Sequence, residues 1–170
     1  MTDAAVPGPG SHAGLPAPSS LLPVRVLVVD DQRLIRESIA ALLDIQPGIE
    51  VVGTAADGRE AVERTLALGP DVVLMDVRMP VLDGVAAASE LAERAPACRV
   101  VMLTTFDDED YVVRALRAGA AGYLLKDRPA AELAAAVRLA QAGVVQFDPA
   151  AAAGSPCTSR VYTHHLSLYR

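Results

Sequence analysis

Several residue types are scarce in this chain, and each scarcity excludes something. Its 170 residues include two cysteines, no tryptophan and only 4% aromatic residues. Cys98 and Cys157 lack the spacing of a metal or redox motif, so we expect reduced thiols and a cytoplasmic protein. No apolar stretch approaches the roughly 18 residues that a membrane span needs. The first basic residue is Arg25, so the N-terminus lacks the charged region of a secretory signal.

Basic charge is limited as well. Lys and Arg number 15 against 21 Asp and Glu, for a net charge of −6. Binding to nucleic acid depends on a basic face that contacts phosphates, and no run of Lys or Arg supplies one. We therefore expect neither DNA nor a membrane as a direct partner. Lys126 is the only lysine in the sequence. An ammonium is a compact point charge whereas a guanidinium is a planar fork, so this position favours a specific use.

Composition divides the chain into three parts. Residues 1–23 are rich in Pro, Gly, Ser and Ala, which predicts a disordered leader. Residues 24–145 alternate between apolar runs and helical periodicity, and they form one domain. Residues 146–170 show no sustained period, which predicts a flexible tail without a recognisable output domain. His164 and His165 lie in this tail, but adjacent side chains point in different directions and are expected to be solvated.

Short apolar runs that are rich in Val and Leu predict strands buried on both faces of a parallel sheet. We expect strands at 24–29, 49–55, 72–76, 99–103 and 122–125. Segments of helical spacing follow them at about 34–43, 59–68, 85–94, 109–118 and 129–142. Since crossovers between parallel strands are right-handed, this alternation predicts a doubly wound α/β domain with five parallel strands.

Four of the strands end on residues that can do chemistry. Ligand crevices in open α/β sheets lie at the carboxyl ends of the strands, so these side chains should converge. They are Asp30 and Asp31 after the first strand, Asp76 at the third, Thr104 and Thr105 at the fourth, and Lys126 after the fifth. Any one of them alone has a structural explanation, such as a helix cap or a bond to the backbone. Their joint order along four strands favours a functional site.

The chemistry of this set is that of phosphoryl acceptance. Two carboxylates about 4 Å apart repel by about 4 kcal/mol at an effective dielectric of about 20, so the cluster must hold protons or a cation. Carboxylate oxygens favour a hard ion, and Mg²⁺ is common where phosphate also binds. Asp76 can act as a nucleophile toward phosphorus, while Lys126 and a threonine hydroxyl stabilise the transferring group.

At these residues the chain resembles the receiver domains of two-component response regulators. The matching segments are VVDDQ (28–32), VVLMDVRMPVLDG (72–84), VVMLTT (100–105) and AGAAGYLLKD (118–127). The resemblance implies a flavodoxin-like (βα)5 fold with strand order 2-1-3-4-5. It also implies that Asp76 accepts a phosphoryl group from a sensor histidine kinase, and that the chain catalyses only its own phosphorylation and dephosphorylation.

The resemblance assigns further roles. Asp31, Asp76 and the backbone carbonyl of Arg78 would bind Mg²⁺ directly, and Asp30 would act mainly through water. Thr104 would hold the phosphoryl group with Lys126. Thr105 lies beside the pocket, and Tyr123 would swing inward on activation; its structural alternative is an ordinary half-buried aromatic. Phosphorylation would then alter the face of the fourth helix, fifth strand and fifth helix, where a second copy or a downstream protein would bind.

The LLKD form at 124–127 is similar to the NarL-type subfamily, most of whose members carry a DNA-binding helix-turn-helix. No such unit is predicted after the fifth helix, so we expect a stand-alone receiver or a disrupted relative of a transcription factor. Arg78 and Phe106 stand two residues beyond Asp76 and Thr104, and neither suits the orientation of water. We therefore expect slow self-dephosphorylation.

Three other functions remain as alternatives. A phosphohydrolase of the haloacid dehalogenase type would need an acid two residues after its nucleophile, where this chain has Gln32 or Arg78. A nucleotide- or flavin-binding module would need a glycine-rich loop after the first strand, and none is present. A receiver used only for docking, without phosphorylation, is the third.

Overall fold

The computed structural model describes residues 22–105 and 109–147. The strands are β1 (Val24–Val29), β2 (Ile49–Ala55), β3 (Val72–Asp76), β4 (Arg99–Thr104), β5 (Gly122–Leu125) and β6 (Gln146–Phe147). The helices are α1 (Arg33–Asp44), α2 (Gly58–Leu68), α3 (Gly84–Arg94), α4 (Glu109–Arg117) and α5 (Ala130–Gln141). All five predicted strands and all five predicted helices are present, and their ends differ from the predicted ends by no more than one residue.

The strands form one parallel sheet in the order β2-β1-β3-β4-β5-β6. The predicted doubly wound fold with order 2-1-3-4-5 is therefore confirmed, but the prediction of five strands was one strand short. β6 pairs with β5 at the edge of the sheet, within the first two residues of the predicted tail. A strand of two residues shows no apolar alternation in the sequence, so only its tertiary pairing reveals it.

The sheet separates two apolar layers. Alternate residues of β1 point to opposite faces, so that Leu27 and Val29 join one layer while Val26 and Val28 join the other. Helices α2, α3 and α4 cover the first layer, and α1 and α5 cover the second. Burial on both faces explains why the central strands are continuous apolar runs rather than alternating ones.

Aspartate side chains cap the N-termini of α2 and α3, the helices that follow β2 and β3. The Asp57 side chain accepts a hydrogen bond of 2.9 Å from the backbone N–H of Glu60, and Asp83 accepts one of 2.8 Å from Ala86. Each bond satisfies an N–H group that the first turn of a helix leaves unpaired. Within the described residues, no helix combines the length and the apolar character that crossing a bilayer requires.

Candidate functional site

Two acids and the single lysine meet at the carboxyl edge of the sheet. Asp30 follows β1, Asp76 ends β3 and Lys126 follows β5. Lys126 Nζ lies 2.6 Å from Asp30 Oδ2 and 3.1 Å from Asp76 Oδ1. The side chains of Lys126, Asp30 and Asp76 are only 7%, 1% and 9% exposed. The parallel topology thus places one cation between two anions that come from separate strands, largely out of contact with water.

Hydrogen bonds with the backbone help to fix the positions of Asp30, Lys126 and the Asp76 carboxylate. The backbone N–H of Asp30 donates to the carbonyl of Ala55 (3.1 Å), and its Oδ1 accepts from the backbone N–H of Gln32 (2.9 Å). The backbone N–H of Lys126 donates to the carbonyl of Thr104 (2.7 Å). By contrast, Asp76 Oδ1 accepts a long bond of 3.4 Å from the backbone N–H of Arg78. The same oxygen lies 3.1 Å from Lys126 Nζ, so the ammonium is its closer partner.

Asp31 completes an acidic cluster at the same edge. One carboxylate oxygen each of Asp30, Asp31 and Asp76 lies within 4.8 Å of the other two, and Asp31 is exposed to solvent. Three carboxylates and one ammonium, when all are charged, leave two negative charges in a small volume. Oxygen donors with this net charge fit a hard divalent cation. The exposed Asp31 leaves the cluster open to solvent on one side.

The environment of Asp76 raises its pKa to about 6, from the ordinary value of 3.8. Burial is the largest cause because it disfavours the charged carboxylate, and the Lys126 ammonium opposes that effect. The neighbouring Asp30 charge raises the pKa further. In the absence of a metal ion, Asp76 therefore retains a proton to a much higher pH than an exposed aspartate does.

The switch residues named from the sequence occupy different environments. Thr104 is buried at the end of β4, whereas Thr105 is exposed at the start of the next loop. Tyr123 on β5 is fully buried, so its ring is in the inward position. Burial raises the pKa of Tyr123, and within the described residues its buried hydroxyl has no hydrogen-bond partner.

A tight loop after Asp76 depends on two glycines. The backbone N–H of Gly84 donates to the carbonyl of Val77 (2.9 Å), which returns the chain toward β3. A Cβ atom on Gly84 would lie 2.1 Å from the carbonyl oxygen of Asp76, and one on Gly58 would lie 2.2 Å from that of Leu82. Only residues without a side chain permit these approaches, so α2 and α3 begin directly against the loop that follows the phosphoacceptor candidate.

One feature of the site was missed from the sequence. The guanidinium of Arg78 lies 5.4 Å from the centre of the Tyr111 ring on α4, and that of Arg114 lies 5.0 Å from it. These cation–π contacts join the loop after Asp76 to α4. Arg78 and Tyr111 are far apart in the sequence, and no motif links them. Phe106, the other residue expected to affect phosphoryl lifetime, lies outside the described residues.

The fold and the site together define a doubly wound domain with a buried acid–lysine centre. The family model of the response regulator receiver domain matches residues 26–138, which is more than half of the chain. The chain belongs to the response regulator receiver domain family. It is therefore a receiver of two-component phosphorelay signalling, as the resemblance in its sequence predicted.

Relatives support this assignment. The transcriptional regulatory protein LnrK of Bacillus subtilis (strain 168) is 40% identical over 126 residues, covering 74% of this chain and 57% of LnrK. The transcriptional regulatory protein LiaR of the same organism is 42% identical over 125 residues, covering 74% of this chain and 59% of LiaR. The chain thus spans less than two thirds of the length of these relatives.

The solved structures agree with the sequence relatives. The signal receiver domain of the response regulator NarL from Mycobacterium tuberculosis matches with a TM-score of 0.69 and 40% sequence identity. The match covers 71% of this chain and 98% of that chain. The matched part of the chain therefore corresponds to nearly the whole of that solved receiver domain.

Proposed function

We propose that Asp76 accepts a phosphoryl group from the phosphohistidine of a sensor histidine kinase, and that the added charge switches a protein-interaction surface. The observation that carries this proposal is the position of Lys126 Nζ, 2.6 Å from Asp30 and 3.1 Å from Asp76 inside a buried pocket. A buried cation shared by two carboxylates contributes little to stability because each charge loses its hydration. We infer that Lys126 instead serves to bind the negatively charged phosphoryl group.

In the transfer, an Asp76 carboxylate oxygen forms the new P–O bond while the P–N bond to the kinase histidine breaks. Lys126 neutralises charge on the phosphoryl oxygens, and the hydroxyl of Thr104 donates a hydrogen bond to one of them. Asp31, Asp76 and the backbone carbonyl of Arg78 would hold Mg²⁺, with Asp30 acting mainly through water. When bound, the ion offsets the negative charge of the carboxylates and of the incoming phosphoryl group. Beyond its own phosphorylation and dephosphorylation, the chain catalyses no reaction.

The switch follows from the change in charge. Phosphorylation adds about −1.5 to −2 charges at the carboxyl edge of the sheet. Thr104, Thr105 and Tyr123 relay this change to α4, β5 and α5, the elements that would bind a second copy of the chain or a downstream protein. The relatives LnrK and LiaR are transcriptional regulatory proteins, so the output of this receiver is regulation of transcription. With a net charge of −6, the domain acts on partner proteins rather than on DNA.

The test is the intact mass of the protein after incubation with acetyl phosphate, with and without Mg²⁺. We expect one phosphoryl adduct that requires Mg²⁺ and is lost in Asp76→Asn. Asp71→Asn is the matched control: Asp71 precedes the same strand at its opposite end, where its side chain accepts a hydrogen bond from the backbone N–H of Arg25. This variant should keep the adduct.

The other outcomes separate the alternatives. A folded wild-type protein that gains no adduct would refute phosphorylation and leave a receiver used only for docking. Rapid turnover of small phosphate esters would instead indicate a phosphohydrolase. An adduct that persists in Asp76→Asn would show that the acceptor is another residue.

A further inference from the structure

The chain after α5 returns to the sheet and covers the free edge of β5. Gly143 adopts a left-handed conformation (φ 86°), and the backbone N–H of Val144 donates to the carbonyl of Leu139 (2.9 Å). The backbone N–H of Gln146 then donates to the carbonyl of Ala121 (3.1 Å), at the start of the β5–β6 pairing. Two residues of pairing make this strand easy to detach, because a short edge strand has little to hold it.

Contacts of the Gln146 side chain and of a glycine opposite fix the position of β6. Gln146 Nε2 donates to the carbonyl of Ala136 in α5 (3.0 Å). A Cβ atom on Gly122 would lie 3.1 Å from the carbonyl oxygen of Gln146, so the missing side chain at Gly122 lets β6 approach closely. The pairing is thus a specific arrangement between β5, β6 and α5.

Phe147 is the neighbour of Tyr123 across this strand pair. The two residues are register partners, and both belong to the apolar layer beneath α4. Tyr123 is fully buried while Phe147 is half-buried at the rim of the same layer. Phe147 therefore occupies the edge of the sheet beside Tyr123.

Tyr123 lies on the strand next to the one that Thr104 ends. The register of β4 and β5 pairs Met102 with Tyr123 and Thr104 with Leu125, so Thr104 and Tyr123 project from the same face of neighbouring strands. Asp76 on β3, Thr104 on β4, Tyr123 on β5 and Phe147 on β6 thus lie on successive neighbouring strands of the sheet.

We propose that Phe147 is a positioning residue that holds Tyr123 inward, so that docking of β6 on β5 and phosphorylation of Asp76 favour each other. The proposal rests on the function proposed above and adds a second input, the state of the chain that follows α5. Coupling between two sites is reciprocal. If docked β6 increases the affinity of the site for a phosphoryl group by some factor, the phosphoryl group increases docking of β6 by the same factor.

The experiment measures the affinity of the full chain for beryllofluoride with Mg²⁺, a stable mimic of the phosphoryl group, by calorimetry. We expect Phe147→Ala to weaken binding about fivefold, within the usual range of coupling between sites. Phe147→Leu keeps an apolar side chain and should restore most of the affinity. A role in stability alone would lower the unfolding midpoint but leave beryllofluoride affinity unchanged in the folded protein.

A second pair of variants tests the turn rather than the ring. Gly143→Ala strains the left-handed turn that carries β6 back to the sheet, and it should weaken beryllofluoride binding as Phe147→Ala does. Gly48→Ala is the matched control, since Gly48 has φ 73° and, like Gly143, open space around the added Cβ atom. Gly48 lies between α1 and β2, so this variant should bind as the wild type does.

Amide exchange in the wild-type protein gives the reciprocal measurement and needs no variant. Exchange of the Gln146 amide should slow by a factor similar to the loss of affinity in Phe147→Ala once beryllofluoride and Mg²⁺ are added. Unchanged affinity in Phe147→Ala and Gly143→Ala, or unchanged exchange at Gln146, would overturn the coupling while leaving the proposed function intact. If the wild type binds no beryllofluoride, the proposed function fails first and the coupling fails with it.

Discussion

Charged residues at the two ends of the parallel strands are arranged in opposite ways. At the amino ends, the Asp71 side chain accepts a hydrogen bond from the backbone of Arg25, and the Arg25 guanidinium donates to the carbonyl of Gly69 in contact with solvent. At the carboxyl ends, Lys126 and Asp30 are almost completely buried beside Asp76. Polar groups at the amino ends are hydrogen-bonded near water. At the carboxyl ends, two aspartate carboxylates lie close together and largely shielded from water.

The difference in burial gives the two ends different energetic costs. Hydrogen bonds such as those at the amino ends contribute about 0.5–1.5 kcal/mol each. Buried charges lose several kcal/mol of hydration each, and only mutual attraction and hydrogen bonds offset that loss. The pKa of Asp76 is raised to about 6 because the loss of hydration outweighs the attraction of Lys126. The carboxyl end therefore carries an electrostatic cost, which supports its proposed use in binding a cation and a phosphoryl group.

The largest expected effect is that of Lys126→Ala. Removing the ammonium leaves Asp30 and Asp76 buried without their shared cation, and breaking a buried ion pair in this way costs about 3–5 kcal/mol. Urea unfolding at pH 7.5 without Mg²⁺ measures the loss. At pH 5 the loss should be smaller because Asp76 then takes up a proton.

Arg25→Ala is the comparison at the amino ends, where we expect a loss of about 1 kcal/mol or less. Equal losses for the two variants would contradict the contrast between the ends.

Gly84→Ala should have the next largest effect. The added Cβ atom would lie 2.1 Å from the carbonyl oxygen of Asp76. Because this distance is a steric clash, α3 would have to shift away from β3. Such overpacking typically costs about 1–3 kcal/mol, and the displaced loop should also slow phosphorylation by acetyl phosphate. Thermal unfolding and the rate of adduct formation are the measurements.

Gly69→Ala provides the control near the amino ends. Its φ of 57° disfavours a side chain, but the added Cβ atom would approach only the flexible end of Arg25. It should cost about 1 kcal/mol and leave phosphorylation unchanged; slower phosphorylation in this variant would show that general destabilisation explains both results.

The smallest effect expected is a gain in stability for Asp76→Asn. The folded state binds a proton on Asp76 up to about pH 6, whereas the unfolded chain releases it near 3.8. Wild-type stability therefore falls as pH rises through this window, because the native state holds more protons than the unfolded state. Asparagine has no proton to lose, so the variant avoids the cost of a buried carboxylate. It should be more stable than the wild type by about 1–2 kcal/mol at pH 7.5 without Mg²⁺.

The gain should disappear below pH 4, where Asp76 is protonated in both states. Unfolding curves at several pH values measure it, and Asp71→Asn should show no such gain. A gain that does not depend on pH would contradict burial of the Asp76 charge as its cause.

Much of this fold could be predicted from the sequence, because the evidence for it is local. Continuous apolar runs such as Val72–Asp76 mark strands buried on both faces, and segments of helical spacing such as 85–94 mark the helices. The order of strand-end residues also predicted which side chains would meet, since parallel strands share one carboxyl edge. The pairing of β6 was missed because Gln146–Phe147 is too short to show a period.

The sequence by itself determined the alternation of strands and helices, the parallel sheet and the identity of the residues at its carboxyl edge. The tertiary structure alone decided how closely Lys126 approaches both acids, how strongly burial raises the pKa of Asp76, and that Tyr111 joins Arg78 to α4. It alone also placed Phe147 beside Tyr123. Periodicity and turn residues act over a few neighbours along the chain. Distance, desolvation and edge pairing depend on residues that only folding brings together.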